Sequence, residues 1–146
     1  MPIKYICISP SWESGQDVSS RFGPQQTGGT IIQHVRPVDL QASMAQGAEI
    51  LLRWANLLAS TRKEELQEVL VQTDYAAEAA FWQNVANEFT VKTRLMWQDG
   101  WFRDYDATAN EWSTQQDAMH LAPVFCGAAS GRQVEQLRPF LAHHRL

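Results

Sequence analysis

The stretch from residue 39 to residue 59 constrains the fold most, because its apolar residues recur at spacings of three and four. This period predicts an α-helix with one buried face, and Asp39 is a suitable N-cap. Ile50, Trp54 and Leu57 form a second apolar set. We therefore expect the helix to be covered on more than one side, with Trp54 in the core. The first set consists of Leu40, Met44, Ala48, Leu51, Leu52, Ala55, Leu58 and Ala59.

Two further helices are predicted downstream. The segment Thr61–Glu64 has the pattern of a capping box and would start a short helix. A long helix starts or continues at Thr73 or Asp74 and ends near Trp97, where Asp99-Gly100 stops it. The predicted core face of this long helix consists of Phe81, Trp82, Val85, Phe89, Lys92 and Met96.

The C-terminal third is less regular. Residues 100–117 are polar and aromatic without a helical period, which predicts a turn or a short hairpin. A short helix is expected over 117–128, interrupted by Pro123. Ser130 can cap a last helix, in which Pro139 is a potential kink.

Composition excludes several classes of function. The 146 residues are 45% hydrophobic and 19% charged, as in one globular domain with a sizeable core. A net charge of −4 without a basic stripe argues against nucleic acid as a partner. The sequence lacks an apolar run long enough to cross a bilayer and the apolar core of a signal peptide. Cys7 and Cys126 stand far apart, so we expect reduced thiols in a cytoplasmic protein.

Metal and nucleotide cofactors are not indicated by the sequence. The four histidines have no ligand spacing beyond chance. Gly28-Gly29 lacks the surrounding pattern of a phosphate-binding loop. We therefore predict no metal site and no cofactor.

The stretch SPSWESGQDVSSRF, residues 9–22, places a tryptophan, two acids and an arginine in a run rich in Ser and Gly. It lies in an irregular segment with little apolar surface to bury. Its side chains could form a polar site with an aromatic wall. Alternatively, Asp17 and Arg21 could simply bond neighbouring backbone groups of the loop. The candidate site residues of this loop are Trp12, Glu13, Asp17 and Arg21.

Four segments together resemble one family of enzymes. The loop matches the order W-E-S-G-x-D-N-S-x-R-W, although Val18 and Phe22 replace its Asn and final Trp. Three later segments resemble the same family: VDLQASM (38–44), LMWQDGWFRDYD (95–106) and LAPVFCGAAS (121–130). The chain thus resembles inverting glycosidases with an (α/α)6 barrel. The nearest likeness is to the processing α-glucosidase I and mannosylglycerate hydrolase type, and more distantly to trehalases.

The resemblance implies a mainly α fold. Antiparallel helical hairpins would form part of an (α/α)6 barrel, with long irregular loops at one end. Because a full barrel needs twelve helices, residues 1–146 would be a single truncated domain cut from the catalytic unit.

The resemblance also implies a chemistry. Inverting hydrolysis needs two carboxyl groups roughly 6.5–9.5 Å apart, one as general acid and one as general base. Asp17 falls at the general-acid position, and the motif that holds the family's general base is not found here. The implied carbohydrate-binding residues are Trp12, Glu13, Arg21 and Trp101.

The segment of residues 100–117, which we call the aromatic turn, allows two interpretations. Trp101, Phe102 and Tyr105 could form a platform under a sugar, or they could pack the turn against a helix. Packing is the commoner role of such clusters and the one we favour. Asp104 and Asp106 are expected to bind the backbone of the turn itself.

These inferences predict a truncated glycosidase-like domain that retains part of a carbohydrate site and does not hydrolyse on its own. One alternative is an α-glycoside hydrolase whose second carboxylate comes across a subunit interface. Another is a helical protein-interaction module without sugar chemistry. Since a slice of a barrel leaves apolar flanks, we expect a homo-oligomer, most simply a dimer, and neither a nucleic acid nor a membrane as partner.

Overall fold

The computed structural model describes residues 35–61 and 72–143 of the chain. Its helices are α1 (Val38–Ser60), α2 (Tyr75–Leu95), a 3-10 helix (Ala118–Leu121), α3 (Ala122–Phe125) and α4 (Gly131–His143). Its strands are β1 (Val35–Arg36), β2 (Trp97–Gln98), β3 (Trp101–Phe102), β4 (Tyr105–Asp106) and β5 (Glu111–Trp112). The mainly α fold is confirmed. The short helix predicted to follow Thr61 lies outside the described residues.

Helices α1 and α2 pack side by side as an antiparallel hairpin. Val38 at the start of α1 shares a core cluster with Met96 at the end of α2. Further along, Ala45 packs in one cluster with Phe89. Small side chains let the two helix backbones approach closely. The buried alanines of the two helices are Ala42, Ala45, Ala48, Ala55, Ala79 and Ala86.

The prediction that Asp39 caps α1 is wrong. The helix begins at Val38, and its N-cap is Pro37, which has no side-chain acceptor. The Val38 N–H donates instead to Oδ1 of Asp104 at 2.9 Å, a carboxylate 66 residues further along. Asp39 lies in the first turn, where its charge is favourable beside the helix dipole.

Two other helix starts confirm the sequence prediction. Asp74 is the N-cap of α2 and accepts the N–H of Ala77 at 3.0 Å. At α4, the Gln133 N–H donates to Ser130 Oγ at 3.4 Å, and the Ser130 N–H donates to Gln133 Oε1 at 2.8 Å. This is a capping box. The Gln133 Nε2 also donates to the carbonyl of Arg94 at 3.1 Å, which ties α4 to the end of α2.

The two prolines predicted to disturb helices behave differently. Pro123 does not interrupt a helix but lies in the first turn of α3, where its missing N–H is harmless. Pro139 lies inside α4, as predicted.

The aromatic segment after α2 forms two short hairpins, of which β4–β5 lies within the predicted range of 100–117 and β2–β3 begins before it. Strands β2 and β3 pair antiparallel across Asp99-Gly100, with φ of 50° at Asp99 and 81° at Gly100. Positive φ at both central residues is what a tight two-residue hairpin turn requires. A second small sheet has the order β1-β4-β5, with Val35 opposite Asp106 and Tyr105 opposite Trp112.

The prediction that Trp54 is a core residue is wrong for the described part of the chain. Its side chain is 62% exposed, because it lies on the face of α1 opposite the alanines. Trp82 is half-buried, and its Nε1–H donates to Glu78 Oε2 at 3.2 Å. Phe81 is 56% exposed and does not belong to the packed face of α2.

Candidate functional site

The predicted loop site cannot be located within the described residues. Trp12, Glu13, Asp17 and Arg21 all lie outside them, so their catalytic and binding roles stay predictions. The fifth predicted site residue, Trp101, lies within the described residues. The next described residue after this loop, Val35, begins β1, which pairs with β4 in the aromatic turn.

A buried polar cluster lies at the start of α1, and we call Val38, Trp101, Asp104 and His120 the anchor cluster. Asp104 is 1% exposed and His120 is fully buried. The His120 Nε2 lies 3.2 Å from Asp104 Oδ2, while Asp104 Oδ1 accepts the Val38 N–H. The Trp101 Nε1–H and the Asp117 N–H both donate to His120 Nδ1, each at 3.3 Å.

These contacts define where the imidazole of His120 carries its proton. Because Nδ1 accepts two N–H donors, it carries no proton. The ring is then the neutral Nε2–H tautomer, which donates to Asp104. Asp104 thus accepts hydrogen bonds from a ring N–H and a backbone N–H.

The anchor cluster joins the three described segments that resemble glycosidases. Val38 begins the first, Trp101 and Asp104 belong to the second, and His120 immediately precedes the third. Among the described residues, every buried side-chain nitrogen and oxygen has a hydrogen-bond partner. The cluster is therefore suited to holding the segments together rather than to reacting with a substrate.

The two acids of the aromatic turn have different roles. Asp106 accepts the N–H groups of Thr108 and Ala109 at 2.8 and 3.0 Å, which confirms that it binds the backbone of its own turn. Asp104 does not: it caps α1 and bonds His120. Sequence reasoning missed His120, because a histidine without ligand spacing gives no local signal of a distant carboxylate partner.

Trp101 makes the contacts expected of a packing residue. It is 6% exposed, and its ring meets Phe140 of α4 edge-on at a centroid distance of 4.7 Å. Its indole N–H donates a hydrogen bond to His120 Nδ1. These contacts favour the packing interpretation, and its proposed contact with a sugar stays a prediction.

A cleft of about 520 Å³ opens beside the middle of α1, between that helix, α2 and α3. Glu49 and Arg53 supply charge on its α1 side, and Cys126 lies on its α3 side. The residues that line it are Ala45, Gln46, Glu49, Ile50, Arg53, Thr90, Cys126, Gly127 and Ala128. Within residues 35–61 and 72–143, no three His, Cys, Asp or Glu side chains are grouped to hold a metal ion.

The free thiol of Cys126 is poorly suited to nucleophilic chemistry. Burial raises the pKa of this thiol above its ordinary value, although a hydrogen bond with Ser43 lowers it and the nearby charge of Asp39 raises it. A raised pKa leaves little thiolate at neutral pH, and the thiolate is the reactive form.

Alkylation should therefore be slow at Cys126. In a Cys7→Ser background we expect iodoacetamide to react at pH 8 several-fold more slowly than with a cysteine peptide, because less thiolate is present. Asp39→Asn should speed the reaction and Ser43→Ala should slow it further. Thiol titration in buffer and in urea is the measurement. A rate equal to that of the peptide in the folded protein would contradict the raised pKa.

The described helices meet an aromatic turn at one end of an antiparallel hairpin. This mainly helical arrangement is what the predicted fold class requires. The family model described as Trehalase matches residues 5–143. Because this match covers nearly the whole chain, the chain belongs to the trehalase family.

The match spans the loop at residues 9–22 as well as the three described segments. It supports the distant trehalase-like resemblance, whereas the α-glucosidase I type stays a prediction. A search of curated proteins gives no match to this chain. No described helix is long and apolar enough to cross a membrane.

Proposed function

We propose that this chain is a carbohydrate-binding, glycosidase-related domain whose loop at residues 9–22 holds the sugar of an α-glycoside. The observation that carries the proposal is the trehalase-family match over residues 5–143, because it includes every residue of that loop. Trp12 would stack on the sugar face, while Glu13 and Arg21 would bind its hydroxyl groups. Asp17 would protonate the leaving oxygen in a complete site.

The described fold fixes the position of strand β1, the first described element after this loop. Strand β1 pairs with β4 beside the buried Asp104. The aromatic turn is itself held by Arg103, whose Nη1 donates to the Ser113 carbonyl at 2.9 Å. Preorganised neighbours lower the entropic cost of ordering a binding loop.

We further propose that a polypeptide of only these 146 residues binds sugar without hydrolysing it. Inverting hydrolysis requires a second carboxyl group roughly 6.5–9.5 Å from the first. Asp104 is buried and hydrogen-bonded, and Asp106 is engaged by its own turn. Neither of these two acids of the aromatic turn is therefore available as a general base. The free Cys126 thiol fits a reducing compartment such as the cytoplasm.

Binding is tested by calorimetry with trehalose, a kojibiose-type disaccharide and mannosylglycerate. We expect at least one of them to bind, and Trp12→Ala and Asp17→Asn each to weaken binding about tenfold or more, because the first removes the stacking ring and the second a hydrogen-bonding carboxyl group. Asp99→Asn is the matched control, because Asp99 is exposed and Asn accepts its positive φ. Binding of none of the sugars would favour the interaction-module alternative.

Turnover is tested separately with the same sugars. We expect no hydrolysis by the isolated chain at any concentration, because one carboxyl group cannot act as both acid and base on opposite faces of the sugar. Hydrolysis that rises steeply with protein concentration and disappears in Asp17→Asn would contradict this expectation. That result would instead support a second carboxylate supplied by a partner subunit.

A further inference from the structure

We propose that a second copy of this chain packs on the outer face of α1, antiparallel to the first, about a two-fold axis near Leu52. The contact surface is formed by Gly47, Ile50, Trp54 and Leu57, which we call the α1 stripe. The proposal does not depend on sugar binding.

The α1 stripe is an apolar face that the described residues leave uncovered. Ile50 is 43% exposed, Trp54 62% and Leu57 64%. The four positions are spaced by three, four and three residues, which places them on one face of a helix. That face is opposite the buried alanines that pack on α2. A single helix face with three large apolar side chains and no charge is typical of a helix-packing seam.

Gly47 supplies a second, independent observation. A glycine inside a helix costs about 1 kcal/mol relative to alanine. A Cβ placed on Gly47 would meet no atom within 4 Å. Nothing in the described chain therefore requires a glycine here. The position is instead an open notch in the stripe, of the kind that admits a side chain from a packed neighbour.

The order of residues in the stripe is self-complementary when two copies run antiparallel. An axis at Leu52 places Ile50 opposite Trp54 of the partner subunit, and Gly47 opposite Leu57 of the partner subunit. Each pair then combines a larger side chain with a smaller one. In a parallel packing, each Trp54 would face the same residue of the partner subunit, and each Gly47 likewise. The two tryptophans would be overpacked, and the two glycines would leave a void. The antiparallel arrangement is also the isologous contact that closes a dimer.

The flanks of the stripe fit the same arrangement. Like flanks meet across this axis. One flank carries the exposed Arg53, which keeps its charge in solvent at the edge of the contact. The other flank carries the half-buried Leu51 and Leu58, so apolar surface meets apolar surface.

The exposed area of the stripe supplies up to about half of a stable dimer contact, and the flanks must supply the remainder. A large aromatic side chain presents about 150–250 Å², so the exposed parts of Ile50, Trp54 and Leu57 amount to roughly 300–400 Å² per copy. A stable interface buries about 800 Å² per partner, with an apolar centre and a more polar rim. The stripe supplies the centre, and its flanks supply the rim.

Sedimentation equilibrium at micromolar concentration tests the association. We expect a dimer of the 16.6 kDa chain, and Trp54→Glu should weaken the dimer at least 100-fold while leaving helical circular dichroism unchanged, because Trp54 is exposed. Val91→Glu, at a 52% exposed position on α2, is the matched control and should stay dimeric. A wild-type monomer would overturn the proposal and assign the stripe to chain outside the described ranges or to another protein. A Trp54→Glu dimer would overturn it too.

Cysteine cross-linking tests the register. In a Cys7→Ser/Cys126→Ser background, a mixture of Gly47→Cys and Leu57→Cys chains should form a disulfide-linked dimer on mild oxidation. Each variant alone should not, because like positions are then about 15 Å apart along the axis at 1.5 Å per residue. Cross-linking by either variant alone, or a dimer whose mixture fails to cross-link, would overturn the antiparallel register.

Discussion

Asp104→Ala is expected to destabilise the fold by about 3–5 kcal/mol. The substitution removes the acceptor for the Val38 N–H and for the His120 Nε2–H, both of which lie in the buried interior. Each buried donor left without a partner costs about 1–3 kcal/mol, and α1 loses its only described side-chain cap. Urea denaturation followed by circular dichroism measures the loss as a lower transition midpoint.

Two variants make this result specific to the anchor cluster. Asp104→Asn keeps an oxygen for Val38 but places an amide against the His120 N–H, so we expect an intermediate loss of about 1–3 kcal/mol. Asp106→Asn should cost less than about 1 kcal/mol, because Asp106 is only half-buried and its turn N–H groups are exposed. If Asp104→Ala unfolded at the wild-type urea concentration, the cluster would contribute nothing to stability.

The coupling within the cluster can be measured as well. In an Asp104→Ala/His120→Ala double variant, the carboxylate and the ring are removed together. The loss should then be smaller than the sum of the two single losses, because neither partner is left unpaired by the other. Strict additivity would mean that the two side chains act independently.

The helices could be predicted from the sequence because their signals are local. The signals for helix α1 and for the N-cap at Asp74 act within one or two turns, and both elements are confirmed. The buried face of α1 is rotated from the predicted one, of which Ala48 and Ala55 are buried. The predicted helix stop at Asp99-Gly100 is equally local, since two residues with positive φ turn the chain there. Local rules of this kind need no knowledge of the rest of the fold.

The errors in the prediction have a common physical cause. Asp39 was predicted to be the N-cap of α1, but the carboxylate that accepts the Val38 N–H belongs to Asp104, 66 residues further along the chain. Trp54 was predicted to be a core residue because apolar periodicity identifies an apolar helix face. The periodicity does not show which part of the fold covers that face. Both outcomes depend on tertiary contacts, which the spacing of neighbouring residues does not contain.

The candidate site was predicted by resemblance rather than by chemistry. Trp12, Glu13, Asp17 and Arg21 match an ordered pattern, and the family match extends over that loop. Residue types alone could not distinguish a sugar site from a loop that binds its own backbone, since Asp and Arg suit both roles. The buried pairing of His120 with Asp104 escaped prediction because the two residues have no spacing that marks them as partners.

Phe102→Ala should cost about 3–5 kcal/mol, the range for removing a fully buried phenylalanine. Phe102 is 0% exposed and meets the ring of Trp97 edge-on at 4.8 Å. It also shares a core cluster with Val38, Met96 and Leu137, where the ends of α1 and α2 meet α4. The cavity would therefore open at the junction of three helices, where few side chains can shift to fill it.

The matched control is Phe125→Ala on α3, since the same atoms are removed from a side chain that is 73% exposed. We expect that variant to change stability by less than about 0.5 kcal/mol, as surface substitutions usually do. Urea midpoints give the two energies, and near-ultraviolet circular dichroism should report loosened tryptophan packing in Phe102→Ala alone. Equal losses in both variants would show that the aromatic turn is not part of the core. In that case, the aromatic turn could not fix the position of strand β1, which pairs with β4.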